Sequence, residues 1–383
     1  MPGLRTRWSR WPASALAVLA VALVAPASAA AATPRAFLGV LADGPLLDPR
    51  IDLRGELQAM SQAGVGAMRF TVDWSAAQPY PEPAAVPAQD AGRFTAVEDG
   101  VPTDWSASDR LVAAAAERRI ALLPVVMRAP AWARLRPERD NSPPSDAGSD
   151  AYARYLAALV RRYGPQGSFW AANPQLPRLP VRQWQVWNEP AGSRDWSEQP
   201  GLPRYVALLR RAHDALKAAD PGAQVVLGGL VGRSWEQLAQ VYRLGGRRYF
   251  DVAAIHPFSR YVTNVVLIVR LARTVMRRHG DGRKPLVLSE LSWPSAKGKT
   301  SVRYGFEETE RGQARRLREA VLALAARRRA LRIRALYWSS WISYDRDPRS
   351  SFDYAGLRRF HAGRVVAKPA FYAFRRVARR LER

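Results

Sequence analysis

Eight times along this chain a short apolar run gives way to an amphipathic run at helical spacing, and few folds accommodate that alternation. The strand-like runs are residues 36–41, 67–74, 120–127, 181–186, 224–230, 250–256, 285–289 and 331–342. Between and after them, apolar residues recur at helical spacing over 51–63, 106–119, 151–163, 204–219, 235–243, 263–279, 310–329 and 369–381. Stop signals close several of the helices: Gly64, Gly164-Pro165 and Asp220-Pro221-Gly222. The strand runs are continuously apolar rather than alternating, as in parallel strands buried on both faces. Eight such units predict a (β/α)8 TIM barrel in one domain. A six-stranded doubly wound sheet is the runner-up, and it lacks its G-x-G-x-x-G at the first strand-helix turn. No Gly/Ser-rich linker divides the chain, so residues 33–383 are expected to form one domain.

Two of the strands end on glutamates. Trp187-Asn188-Glu189-Pro190 closes the fourth, and Leu288-Ser289-Glu290-Leu291 closes the seventh, 101 residues later. In a barrel the carboxyl ends of the strands form one mouth, where active sites of this fold lie. If Glu189 points to the axis, Trp187 and Gln185 share its face by alternation; if Glu290 does, so do Leu288 and Leu286. Two carboxyls converging over the mouth suit glycoside cleavage by double displacement. One protonates the leaving oxygen while the other attacks the anomeric carbon from the opposite face. An unpaired charge within Leu-Val-Leu-Ser-Glu-Leu would be costly to bury, so function is the better account of Glu290.

These motifs resemble those of glycoside hydrolase clan A, the retaining barrels with catalytic glutamates on strands four and seven, and are closest to families 39 and 5. Met68-Arg69-Phe70 and Asp73-Trp74 on strand two agree with it. So do Ala129-Pro130-Ala131-Trp132 after strand three, Ile255-His256-Pro257 on strand six, and Tyr337-Trp338-Ser339-Ser340-Trp341 on strand eight. The resemblance implies Glu189 as acid/base and Glu290 as nucleophile, with Asn188 on the sugar 2-hydroxyl, Arg69 orienting the nucleophile and Trp338 as the floor under the sugar. His256, Trp74, Trp132 and Trp293 are further candidates to line the cleft. One departure is Phe258, where many members carry a tyrosine that donates to the nucleophile. Another donor, Tyr337 or Tyr344, is therefore expected at Glu290.

Composition narrows the setting. Arg5, Arg7 and Arg10 precede an uncharged run from Trp11 to Val24, and Ala27-Ser28-Ala29 follows. This is the layout of a secretory signal, so residues 1–32 are expected to be removed on export, leaving no membrane span; the alternative is an uncleaved N-terminal anchor. There is no cysteine, which excludes disulfides, thiolate metal sites and a lipid-anchored terminus. The four histidines show no metal-binding spacing, and neither a cofactor nor a metal is expected. The net charge of +26 comes almost wholly from arginine, with lysine only at 217, 284, 297, 299 and 368. These residues are spread along the chain, and codon bias accounts for them better than specific nucleic-acid binding does. They do predict electrostatic attraction to anionic envelope polymers. The expected partner is a carbohydrate substrate. The alternatives are a catalytically inactive carbohydrate-binding barrel and a basic protein that binds envelope polymers.

Overall fold

The computed structural model describes residues 35–382, and Gly3. The expected signal segment with its Ala27-Ser28-Ala29 site therefore lies outside the described residues, Gly3 apart. Among the described residues, nine parallel strands make one sheet. They are Leu38–Leu41, Ala67–Asp73, Ala121–Met127, Gln183–Val186, Gln224–Val226, Leu230–Val231, Ala253–His256, Leu286–Leu291 and Ile333–Trp338. The first strand pairs with both the second and the last, as closure requires.

The ninth strand arises because the run expected at 224–230 is split. Its first piece pairs with Gln183–Val186 and its second with Ala253–His256, so the two edges of the sheet are consecutive pieces of one segment. A bridge between Val226 and Val252, with Leu227 N donating to Val252 O at 3.0 Å, joins them. The break falls at Gly228-Gly229. A Cβ on Gly228 would lie 2.7 Å from Val186 O, and one on Gly229 would lie 2.0 Å from His256 Nε2. The eight-unit barrel is thus present, with its fifth strand in two parts.

Helices follow the strands as expected. The helix expected from residue 151 begins earlier, at Asp146–Tyr163. Its first turn is rich in Ser, Asp and Gly and reads as loop, but Ser145 Oγ accepts from Gly148 N at 3.0 Å and caps it. The last strand ends at Trp338 rather than 342, and Ile342–Ser343 joins a separate small sheet with the hairpin Arg358–His361 and Arg364–Ala367. No described helix is long and apolar enough to cross a membrane. A large core packs sheet against helices, while a smaller cluster draws Ala67, Leu123, Val226, Ala254, Val287 and Tyr337 from six strands to fill the axis.

Candidate active site

The axial cluster shows which way each strand faces. Val287 lies on the axis, whereas Leu286 and Leu288 pack in the outer core. Simple alternation would therefore turn Glu290 outward with the leucines. Instead, the pairing of this strand with Ile333–Trp338 shifts register between Leu288 and Leu291. Such an irregularity re-aims the side chain beside it, and here it turns Glu290 over the mouth. The expectation that Leu286 and Leu288 share its face is corrected accordingly.

Glu189 arrives by a different local device. Gln185 points inward and hydrogen-bonds Arg69, but Trp187 does not share that face. Its ring packs against Tyr152 on the outer helix and against Trp196, and its Nε1 donates to Asp195 O at 2.8 Å. Trp187 and Glu189 both adopt left-handed backbone, with φ of 63° and 40°. Each such non-glycine residue costs about 1–2 kcal/mol, here offset by the buried indole and its hydrogen bond. The turn leaves Glu189 facing Glu290.

Arg69, 2% exposed, is the hub between them. Its Nη1 donates to Glu290 Oε1 at 2.9 Å, its Nη2 to Asn188 Oδ1 at 2.7 Å and its Nε to Gln185 Oε1 at 2.9 Å. Asn188 is held on its other side by Asp195 Oδ2, which accepts from its Nδ2 at 2.7 Å. His256 is fully buried, with Nδ1 2.6 Å from Glu189 Oε1 and Nε2 3.8 Å from Glu290 Oε1. One atom each from Glu189, His256 and Glu290 fall within 4.8 Å of one another. Among the described residues this trio is the one group spaced closely enough to hold an ion. The same spacing lets one carboxyl donate a proton while the other attacks.

The expected tyrosine donors are elsewhere. Tyr344 donates to Asp48 at 3.1 Å and Tyr337 fills the axis, so the donor at Glu290 is Arg69. The tryptophans expected to line the cleft are likewise drawn into the core. Trp74 packs on Trp132 and Tyr152 with its Nε1 on Gln78, and Trp132 is half-buried with its Nε1 on Gln78 O. Trp293 is fully buried and donates to Arg260 O. Trp338 lies on the face opposite Tyr337, donates to Ala355 O and is 1% exposed, so it does not floor the cleft.

A cleft of about 760 Å³ opens over the two glutamates, and its aromatic lining comes from the loops. Phe258 stacks on Phe306 at 5.8 Å, and Phe352 closes edge-on at 5.2 Å from Phe258. Tyr304, half exposed, extends the wall at 5.8 Å from Phe306. Asp43, just beyond the first strand, also lines the cleft and has no motif around it in the sequence. It accepts from Thr71 N at 2.7 Å and Thr71 Oγ1 at 2.8 Å. Burial pushes its carboxyl above the ordinary value, against the pull of Arg69.

No protein-family model matches the sequence, and no curated protein matches it either. Solved structures do match the fold. A family 39 glycoside hydrolase from the gut symbiont Bacteroides cellulosilyticus WH2 aligns with a TM-score of 0.65 at 16% identity, covering 91% of this chain and 64% of that one. A family 39 enzyme from Xanthomonas axonopodis pv. citri gives 0.60 at 18% identity, covering 91% and 67%. A family 5, subfamily 18 structure from Streptomyces cattleya, in complex with GlcNAc, gives 0.60 at 18% identity, covering 90% and 80%. The chain thus spans about two thirds of the length of the first two. At these identities the likeness establishes the barrel.

Proposed function

We propose that this chain is an exported glycoside hydrolase that cleaves its substrate with retention, using Glu290 as nucleophile and Glu189 as acid/base. The observation that carries the reading is the approach of the two carboxyls. One oxygen of each carboxyl comes within 4.8 Å of the other, which supports the close placement of a retaining pair over the wider gap of about 6.5–9.5 Å that an inverting pair keeps for water. Arg69 hydrogen-bonds Glu290, and its fixed positive charge holds the carboxylate aimed at the cleft. Glu189 meets the buried ring of His256 through Oε1, and Oε2 remains to serve the leaving oxygen. In the first step the C–O bond breaks as Glu189 delivers a proton and Glu290 forms an ester. In the second, Glu189 takes a proton from the water that releases the sugar.

The lining favours a neutral glycan. Asp43, Glu189, Asp195, Glu290, Asp347 and Asp353 face only Arg69, Arg128 and Arg194, so the mouth is acid-rich on a strongly basic chain. Flat apolar sugar faces suit the Phe258–Phe306 wall. Folds of this kind in families 39 and 5 are consistent with the reading. The test is a panel of neutral polysaccharides and aryl glycosides, followed by NMR of the first-formed anomer. The product should keep the configuration of the substrate. An inverted first product would sink the mechanism, and saturable binding without hydrolysis would favour a carbohydrate-binding barrel.

A second expected outcome concerns Gly229. A methyl there would overlap His256 Nε2, and the fully buried ring can yield only by pressing on its neighbours, among them Glu189 at 2.6 Å from Nδ1. Gly229→Ala should lower kcat/KM by about 10²-fold, the scale of a 1 Å misplacement of a reacting group, while the circular dichroism spectrum stays unchanged. Unaltered kinetics would show that the position of His256 does not matter to the reaction.

A further inference from the structure

We infer that the end of the barrel opposite the glutamates is a docking face for a flexible phosphodiester polymer. The turns that lead into the last three barrel units all open at that end, because the strands are parallel. Residues 243–252, 277–285 and 326–334 form them. They present Arg247 and Arg248, then Arg278 and Arg283, then Arg329 and Arg332, all exposed. The carboxylates in these turns are Asp251 and Asp281. Asp251 is paired with Lys217 at 2.9 Å, and Asp281 is buried beneath Arg247 at 3.1 Å and Lys284 at 2.9 Å. Neither carboxylate is paired with Arg248, Arg278, Arg283, Arg329 or Arg332.

The turns are fastened into one surface. Buried Arg273 donates to Leu331 O at 3.0 Å and to Lys284 O at 2.9 Å, tying the second turn to the third. Lys284 Nζ reaches Arg247 O at 2.6 Å, tying it to the first. Burial, with the like charges of Arg277 and Arg332 behind it, pulls the Arg273 guanidinium down to about 10. Positive charge is crowded here, whereas the acid-rich mouth lies at the other end.

Between the first two turns lies an open cleft of about 720 Å³, walled by Arg247, Arg248, Tyr249 and Lys284, with the paired Asp281 at its base. A concave wall of guanidinium groups suits a narrow chain that can enter it and be gripped bidentately at successive phosphates. A bilayer or a duplex is stiff on this length scale and cannot follow a concave wall as a flexible chain can. The one ring in the lining, Tyr249, is half-buried and packed against His213 at 5.7 Å, so it is not set out as a platform for bases. Docking by this end would hold the protein on the polymer with its mouth outward. This inference does not rest on the glycosidase reading.

The test is fluorescence titration of the purified full chain with labelled poly(glycerol phosphate), with phosphatidylglycerol vesicles and duplex DNA as parallel arms at equal phosphate. The variant combines Arg248→Gln, Arg283→Gln and Arg329→Gln, exposed residues whose side chains have no hydrogen bond or ion pair among the described residues. It should weaken polymer binding about tenfold or more at ~0.1 M salt and flatten the slope of log K against log salt by roughly 2. A control combining Arg110→Gln, Arg210→Gln and Arg318→Gln on the outer helices removes the same charge and should change affinity less than about twofold. Thermal melting checks the fold; if the triple variant melts early, its three single variants are read instead. Equal weakening by the control would reduce the effect to net charge and overturn the inference. Preference for vesicles or DNA over the polymer would overturn the choice of partner.

Discussion

Glu290→Gln is expected to abolish turnover of every glycoside, activated aryl glycosides included, with kcat falling by about 10⁴-fold or more. A carboxamide forms no stable ester with the sugar, so a good leaving group offers no way round the loss. Glutamine is the informative replacement because of Arg69. That guanidinium is 2% exposed and spends one arm on Glu290 Oε1. Alanine would leave the arm unpaired, and breaking a buried ion pair costs about 3–5 kcal/mol. Glutamine keeps an acceptor oxygen for Nη1, so the variant should melt closer to the parent than Glu290→Ala does. Activity lost with the fold retained assigns Glu290 to the chemistry; activity retained on a natural glycan would remove it from the mechanism.

The frame around that residue is legible in the sequence because burial imposes it. Strands inside a barrel must be apolar on both faces, and each helix must present one apolar stripe, so both patterns are written into the chain. Capping is subtler. The Ser-Asp-Ala-Gly-Ser-Asp stretch at 145–150 has the composition of a loop, yet Ser145 Oγ caps the helix that begins there. The polar residues that hide the start of this helix are the ones that stabilise it.

The candidate site is legible in its residue types and not in its aim. Alternation places Leu288 beside Glu290 and Trp187 beside Glu189. A register shift and two left-handed residues break both patterns, and neither leaves a mark in one-dimensional periodicity. The tryptophans mislead because a large ring near a strand end serves a cleft or a core equally well by composition. Trp74, Trp293 and Trp338 are each held inward by an indole hydrogen bond to a distant partner or a neighbouring turn. The wall of Phe258, Phe306 and Phe352 is assembled from three separate loops, so no local motif announces it. Gly229 does carry a signal: a glycine pair inside an apolar strand marks a close approach, here that of His256.

Glu189→Ala is expected to split the two steps of the reaction apart. Natural glycans need a proton on the leaving oxygen, and without it their hydrolysis should fall by roughly 10²–10⁴-fold. Dinitrophenyl glycosides release dinitrophenolate, a stable anion that needs little protonation, so Glu290 should still form its ester with their sugar. The second step then lacks a base to deprotonate water, and a burst of released phenol should precede slow turnover. Alanine also vacates the space beside His256 Nδ1, which opens the ester to a small anion. Azide needs no deprotonation and should restore turnover, yielding a glycosyl azide of retained configuration, because it attacks the ester from the face that water uses. In Glu290→Ala the same anion would enter from the nucleophile's side and give the inverted azide in one step. Measuring the burst and the configuration of the azide product by NMR separates these cases. Normal activity of Glu189→Ala on a natural glycan would remove Glu189 from the acid/base role, and an inverted azide from that variant would exchange the two assignments.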